Sequence, residues 1–191
     1  MSSLITPTEG KRAYPLIVGE PGTGKTSLIE LAVNEMDKDK PKGIVYVDVP
    51  PECNSEIDIA STMLEALGWR PDLFIDFGKG NYSSYLLVGI SEANRFAEAS
   101  VKEALGYFFR AALKYQQKYK KVPVLIIDNA NKLARMQQDV LNALQDYAKL
   151  AADKRIATIV FVSSEGRVPR HMMGKSVMLM VLFINYYYLL N

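Results

Sequence analysis

The chain has 191 residues, 49% of them hydrophobic, with a net charge of +2. That length predicts one domain, and that apolar content excludes a disordered chain. The small net charge gives no electrostatic case for nucleic acid or an anionic membrane as a bulk partner. Cys53 and His171 are the single cysteine and histidine, so no disulfide can form within the chain and no Cys/His metal site can be assembled.

Residues 1–13 are polar at first reading and carry Pro7 and Gly10. They lack the apolar core and basic flank of a signal peptide, so we expect a disordered N-terminal segment and an intracellular site of action. The first strand is predicted over Tyr14 to Val18. It runs into Gly19-Glu20-Pro21-Gly22-Thr23-Gly24-Lys25-Thr26, which fits G-x-x-x-x-G-K-[ST] without misfit. A helical pattern, Ser27 to Met36, follows. Strand, glycine-rich loop and helix in this order make a phosphate-binding loop. Its N–H groups and the helix N-terminus would face the phosphates of a nucleotide, with Gly19 to Ser27 as the binding residues. Lys25 would add a mobile positive charge and Thr26 a hydroxyl for Mg²⁺.

A charged turn over Asp37 to Lys42 leads to Gly43–Val49. This stretch is β-branched and apolar on both faces, which predicts a buried parallel strand. Pro50-Pro51 ends it. Ser55 is placed to cap a helix with Ile57, Ala60, Met63, Leu64 and Leu67 as its apolar face, closed by Gly68 and Pro71. Residues 70–91 read as an insertion loop or small hairpin. A long helix is expected next, with Phe96, Val101, Leu105, Phe108, Ala112, Tyr115 and Tyr119 on one face. The lysines at 114, 118, 120 and 121 complement its C-terminus and stay solvated in preference to forming a nucleic-acid patch.

Val122 to Asp128 is the second diagnostic stretch: an apolar strand that ends in an acid. After such a loop, that acid is expected to hold Mg²⁺ through water. Asn129 follows, then one helix carrying Leu133, Met136, Val140, Leu141, Leu144, Tyr147 and Leu150. A further buried strand, Ile156 to Val162, ends in Ser163-Ser164. Strands alternating with helices predict an α/β, three-layer αβα fold with a mostly parallel sheet, the ligand lying at the strands' carboxyl ends.

The residues also discriminate among nucleotide-binding classes. Small nucleotide kinases need clustered arginines, and only Arg167 and Arg170 lie close in sequence here. Between Lys25 and Asp128 there is room for a complete strand and two or three helices. This layout resembles AAA+ and STAND-type ATPases, including the origin-recognition and archaeal-ATPase branches. The resemblance implies that Gly19–Thr26 is Walker A, Val124–Asp128 is Walker B, and Ser163 or Ser164 is the polar sensor at the end of the fourth strand. It also implies that Arg167 or Arg170 acts as a finger across a subunit interface, with a homo-oligomer or a partner protein supplying the other side. The phrases Gly43–Pro50, Ile127–Asn131 and Val162–Arg170 resemble the ATPase modules of Crinkler-type proteins of fungi and oomycetes, some of which are effectors. On this reading ATP is the nucleotide and Mg²⁺ its metal. GTP is disfavoured, as no Asn-Lys-x-Asp occurs.

Two positions depart from that pattern. AAA+ enzymes place Glu after the Walker B acid, where Asn129 stands. An amide can orient water but cannot take its proton as a carboxylate does. Asn129 either positions water or caps the next helix, and Glu165, Glu20 and Asp48 are candidate substitutes for the acid. Residues 171–191 end in an apolar run of about 14 residues, short of the ~20 a membrane helix needs. It would supply a fifth strand or be unrelated sequence on a truncated chain. The compositional shift at Lys175 and the missing lid pattern favour truncation after a core of residues 14–170.

Overall fold

The computed structural model describes residues 14–35, 43–68, 100–164, 168, 172 and 177–181. Five strands are described: β1 Tyr14–Val18, β2 Ile44–Asp48, β3 Val124–Asp128, β4 Thr158–Ser163 and β5 Val177–Val181. They form one parallel sheet in the order β2-β3-β4-β1-β5. The helices are α1 Lys25–Glu35, α2 Glu56–Ala66, α3 Val101–Tyr119, α4 Asn131–Met136 and α5 Gln138–Asp153. The fold is the expected α/β arrangement, with β4 inserted between the loop-bearing β1 and the acid-bearing β3.

Side chains alternate across a strand, so each strand contributes to two cores. Tyr14, Leu16, Leu125, Ile127, Ile159 and Phe161 face α2, α3 and α5 in the larger one. Ile17, Val124, Ile126, Val160 and Val162 pack with Ile29 of α1 on the opposite face. The central strands β3 and β4 are buried along their whole length. Both acidic strand ends, Asp48 and Asp128, share the alternation of Ile126 and therefore lie toward the α1 side. The two strands pair with Asp48 opposite Asp128.

Several local expectations are met and others corrected. Ser55 caps α2: its hydroxyl accepts from the Asp58 N–H, and the Asp58 carboxylate accepts from the Ser55 N–H at 2.8 Å. Ile57 is exposed and Ile59 takes its place in the core, because α2 is buried through Ile59, Ala60, Met63 and Leu64. A second capping box at Ser100 and Glu103 sets the start of α3 at Val101. Glu56 of α2 accepts the Val101 N–H at 2.9 Å and ties the two helix starts together. Phe96 and residues 70–91 lie outside the described residues, as does the segment 1–13.

The single helix expected after Asn129 is two. Gln137, at φ −139° and ψ 61°, breaks the run between α4 and α5, and Met136 and Leu150 are exposed. No glycine or proline marks that break. Among the described residues β2 is an edge strand, with Tyr46 and Asp48 exposed and Ile44 and Val45 half-buried, and not the doubly covered strand its composition suggested. Within the C-terminal apolar run, Val177–Val181 form a strand that pairs in register with Tyr14–Val18. The rest of that run is outside the described residues.

Candidate nucleotide site

The loop after β1 closes on itself. Gly22 and Gly24 hold φ of +79° and +75°. A Cβ on Gly22 would meet nothing within 4 Å, so the backbone angle and not space is what requires glycine there. Thr23 donates from both its N–H and its hydroxyl to the Glu20 carbonyl. Gly19 donates to the Ser163 carbonyl at 3.3 Å, which fastens the loop's first residue to the end of β4.

Lys25, the first residue of α1, is buried. Its ammonium donates to the Gly19 and Glu20 carbonyls at 2.8 and 2.7 Å and to the Thr23 hydroxyl at 3.3 Å. Burial pulls this ammonium below its ordinary pKa, and the Asp128 carboxylate opposes the shift. The cation is therefore held within the loop, beside the acid.

Asp128 is buried and accepts three donors. The Asn129 N–H reaches Oδ1 at 2.7 Å. The hydroxyls of Thr26 and Tyr46 both reach Oδ2, at 2.9 and 2.5 Å. Burial, and then the bond to Asp128, push the Tyr46 phenol well above its ordinary range. Thr26 and Asp128 together are hard oxygen donors of the kind Mg²⁺ takes. Among the described residues no group of three or more His, Cys, Asp or Glu side chains could hold a metal alone. A hydroxyl and one carboxylate fit a cation that completes its octahedron with phosphate oxygens and water.

Asn129 turns the chain after β3 at φ +57°, a conformation asparagine tolerates better than most side chains. Its amide donates to Asp48 Oδ1 at 2.7 Å. The capping alternative for Asn129 is not the geometry seen: Ala130 is the residue before α4, without a side-chain cap. Ser163 is fully buried, while the half-buried Ser164 donates to Asn131 Oδ1 at 3.3 Å. Arg167, Arg170 and Glu165 are outside the described residues. Ser27 is exposed on the first turn of α1, and Glu20 is exposed in the loop. Cys53 is buried, and burial followed by Asp58 pushes its thiol up, as suits a packing residue.

Tyr46 is the site residue that sequence reasoning missed. The signal was its parity with Asp48: two residues before a strand-end acid, on the same face. Reading it required the register of β2 on β3.

The chain matches the AAA domain family over residues 9–167. It belongs to that family. Among solved structures, the fold is similar to the Walker-type ATPase of Pyrococcus abyssi, at 15% identity and a TM-score of 0.52, covering 92% of this chain and 50% of that one. The chain thus spans half the length of that ATPase. It is also similar to Drosophila ORC bound to GC-rich DNA and Cdc6, at 11% identity and a TM-score of 0.48, over 91% of this chain and 25% of that one. Cdc6p from Pyrobaculum aerophilum is similar at 18% identity and a TM-score of 0.37, over 87% and 39% of the two chains. A sequence comparison with curated proteins gives no match. The family match carries the AAA assignment and does not extend to the narrower Crinkler-type resemblance. Among the described residues no helix is long and apolar enough to cross a membrane.

Proposed function

We propose that this AAA chain binds ATP with Mg²⁺ inside the cell and hydrolyses the β–γ bond slowly, in a site made by the loop after β1 and the acid ending β3. The supporting observation is the hydrogen bond from Thr26 to Asp128, which joins two motifs 102 positions apart. Gly19 to Ser27 would wrap the phosphates through backbone N–H groups. The Lys25 ammonium would exchange its loop carbonyls for β- and γ-phosphate oxygens, and Thr26 with Asp128 would hold the metal. Bound Mg²⁺ would supply charge neutralisation across the β- and γ-phosphates. Asn129 or Ser163 would position water, and Arg167 or Arg170 would complete the site of a neighbouring copy or a partner protein.

A second reading is a nucleotide-dependent switch or effector module that binds ATP with little turnover. The amide at Asn129, where the family pattern has a carboxylate, favours it. Calorimetry of Mg²⁺-ATP on wild type and Lys25→Ala, with phosphate release followed on the same samples, tests both. Binding by wild type and its loss in the variant support the site, and the release rate divides ATPase from switch. Equal binding by both proteins overturns the site.

A further inference from the structure

The family pattern leaves this site short of one group: a carboxylate able to take a proton from the attacking water. Asp128 is poorly suited, because its two oxygens already accept from Asn129, Thr26 and Tyr46. Glu20 lies exposed in the loop, where among the described residues only its backbone carbonyl is engaged, by Lys25 and Thr23. Asp48 is different. It ends β2, directly opposite Asp128 in the parallel pairing, and is exposed at the carboxyl edge of the sheet.

Asn129 connects the two acids. Its backbone N–H holds Asp128 Oδ1 at 2.7 Å, and its side-chain amide holds Asp48 Oδ1 at 2.7 Å. Asn129 makes both contacts from a left-handed backbone conformation, at φ +57°. An amide that donates to a carboxylate fixes one carboxylate oxygen and orients the other.

We infer that Asp48 is the proton-accepting group of this site and that Asn129 is its positioning residue. This rests on the ATP-site reading given above. In the step, water oxygen forms a bond to the γ-phosphorus while the bond from that phosphorus to the β–γ bridging oxygen breaks. ADP leaves with the bridging oxygen. The water proton passes to the Asp48 carboxylate and from there to solvent, leaving inorganic phosphate. A residue doing this contributes about 10²–10⁴-fold in rate. It contributes little to nucleotide affinity, since a proton acceptor acts in the transition state.

The test compares wild type, Asp48→Asn and Asp48→Glu for Mg²⁺-ATP affinity by calorimetry and for single-turnover hydrolysis. The identity of the bound nucleotide after incubation is read by chromatography. Asp48→Asn is expected to bind ATP within about twofold of wild type, to lose at least about 100-fold in hydrolysis, and to retain intact ATP where wild type yields ADP. Asp48→Glu is expected to recover part of the rate, which a purely structural role would not require. Hydrolysis by Asp48→Asn at the wild-type rate overturns the inference. So does a wild type that binds ATP and does not turn it over, an outcome that leaves the binding site standing. A wild type that does not bind ATP overturns the site reading itself, and this inference with it.

Discussion

The phenol oxygen of Tyr46 lies 2.5 Å from Asp128 Oδ2, the carboxylate oxygen that Thr26 also reaches. An edge-strand residue thereby shares the acid proposed to hold the metal. Removing the hydroxyl in Tyr46→Phe leaves a buried carboxylate with one donor fewer. Because Tyr46 is itself partly exposed, the expected loss is about 1 kcal/mol of stability in a denaturant melt. Partners of a metal-holding group tune its affinity, so the Mg²⁺ concentration that half-saturates ATP binding should rise about tenfold. ATP affinity without divalent metal should stay unchanged.

Tyr14 is 1% exposed, and its hydroxyl finds no partner among the described residues. Burial, followed by the charge of Asp146, pushes its phenol up to about 12 from 10.0. Between those values the unfolded chain releases the proton while the folded chain keeps it, so stability falls as pH rises. At about 1.4 kcal/mol per unit, the loss is on the order of 3 kcal/mol. Tyr14→Phe should flatten this alkaline decline and gain about 1 kcal/mol at neutral pH by removing an unsatisfied buried group. Equilibrium unfolding at pH 7 and across the alkaline range checks both.

Gln145 on α5 is wholly buried, with neither amide atom bonded to any of the described residues. Gln145→Leu conserves most of the volume and should stabilise the domain by about 1–2 kcal/mol. A thermal midpoint that falls would show that the amide serves an interaction at that position.

Gly43 precedes β2 at φ +63°, and a Cβ there would come within 2.4 Å of the Tyr115 ring. Gly43→Ala should cost about 1–2 kcal/mol from the backbone alone. The ring contact adds to it, because Tyr115 lies against the Tyr119 ring at 4.8 Å. In a double-mutant cycle with Tyr115→Leu, the ring term should appear as coupling of about 1 kcal/mol and the backbone term should persist.

At the start of α2 the Ser55 hydroxyl and the Asp58 carboxylate bond reciprocally. Ser55→Ala should cost about 1 kcal/mol. The double variant Ser55→Ala/Asp58→Ala should cost less than the sum of the singles, because each half orders the other. Chemical denaturation of the three proteins measures the difference.

Local chemistry carried most of what the sequence made legible. The loop from Gly19 to Thr26, the cap at Ser55, the stop at Gly68 and the buried strand ending in Asp128 each depend on residues within one short segment. What escaped depends on register or on tertiary contact. Tyr46 reaches Asp128 only because β2 pairs with β3 in one register. The composition of β2 gave no sign that the strand would lie at the sheet edge. Gln137 interrupts a sequence whose apolar spacing runs on unbroken, since a helical repeat does not record where two helices must part to follow a sheet. Ile57 and Ile59 are equally apolar, and packing against α3 decided between them.

The insertion of β4 between β1 and β3 has a consequence for how this chain folds. Loop and acid are 102 positions apart along the chain and are separated in the sheet by β4, which pairs with both β1 and β3, so a fragment that ends before β4 lacks the strand that sets the Thr26–Asp128 contact. Closing it requires β4 to be in place, which is late in synthesis and a non-local event. A nascent or partly folded chain would therefore lack the completed form of the proposed metal-nucleotide site. Ligand that binds only the finished sheet stabilises only the finished sheet, by an amount set by its concentration relative to its dissociation constant. On the proposed function, nucleotide supply and folding yield would thereby be linked through the strand order that sets the Thr26–Asp128 pair.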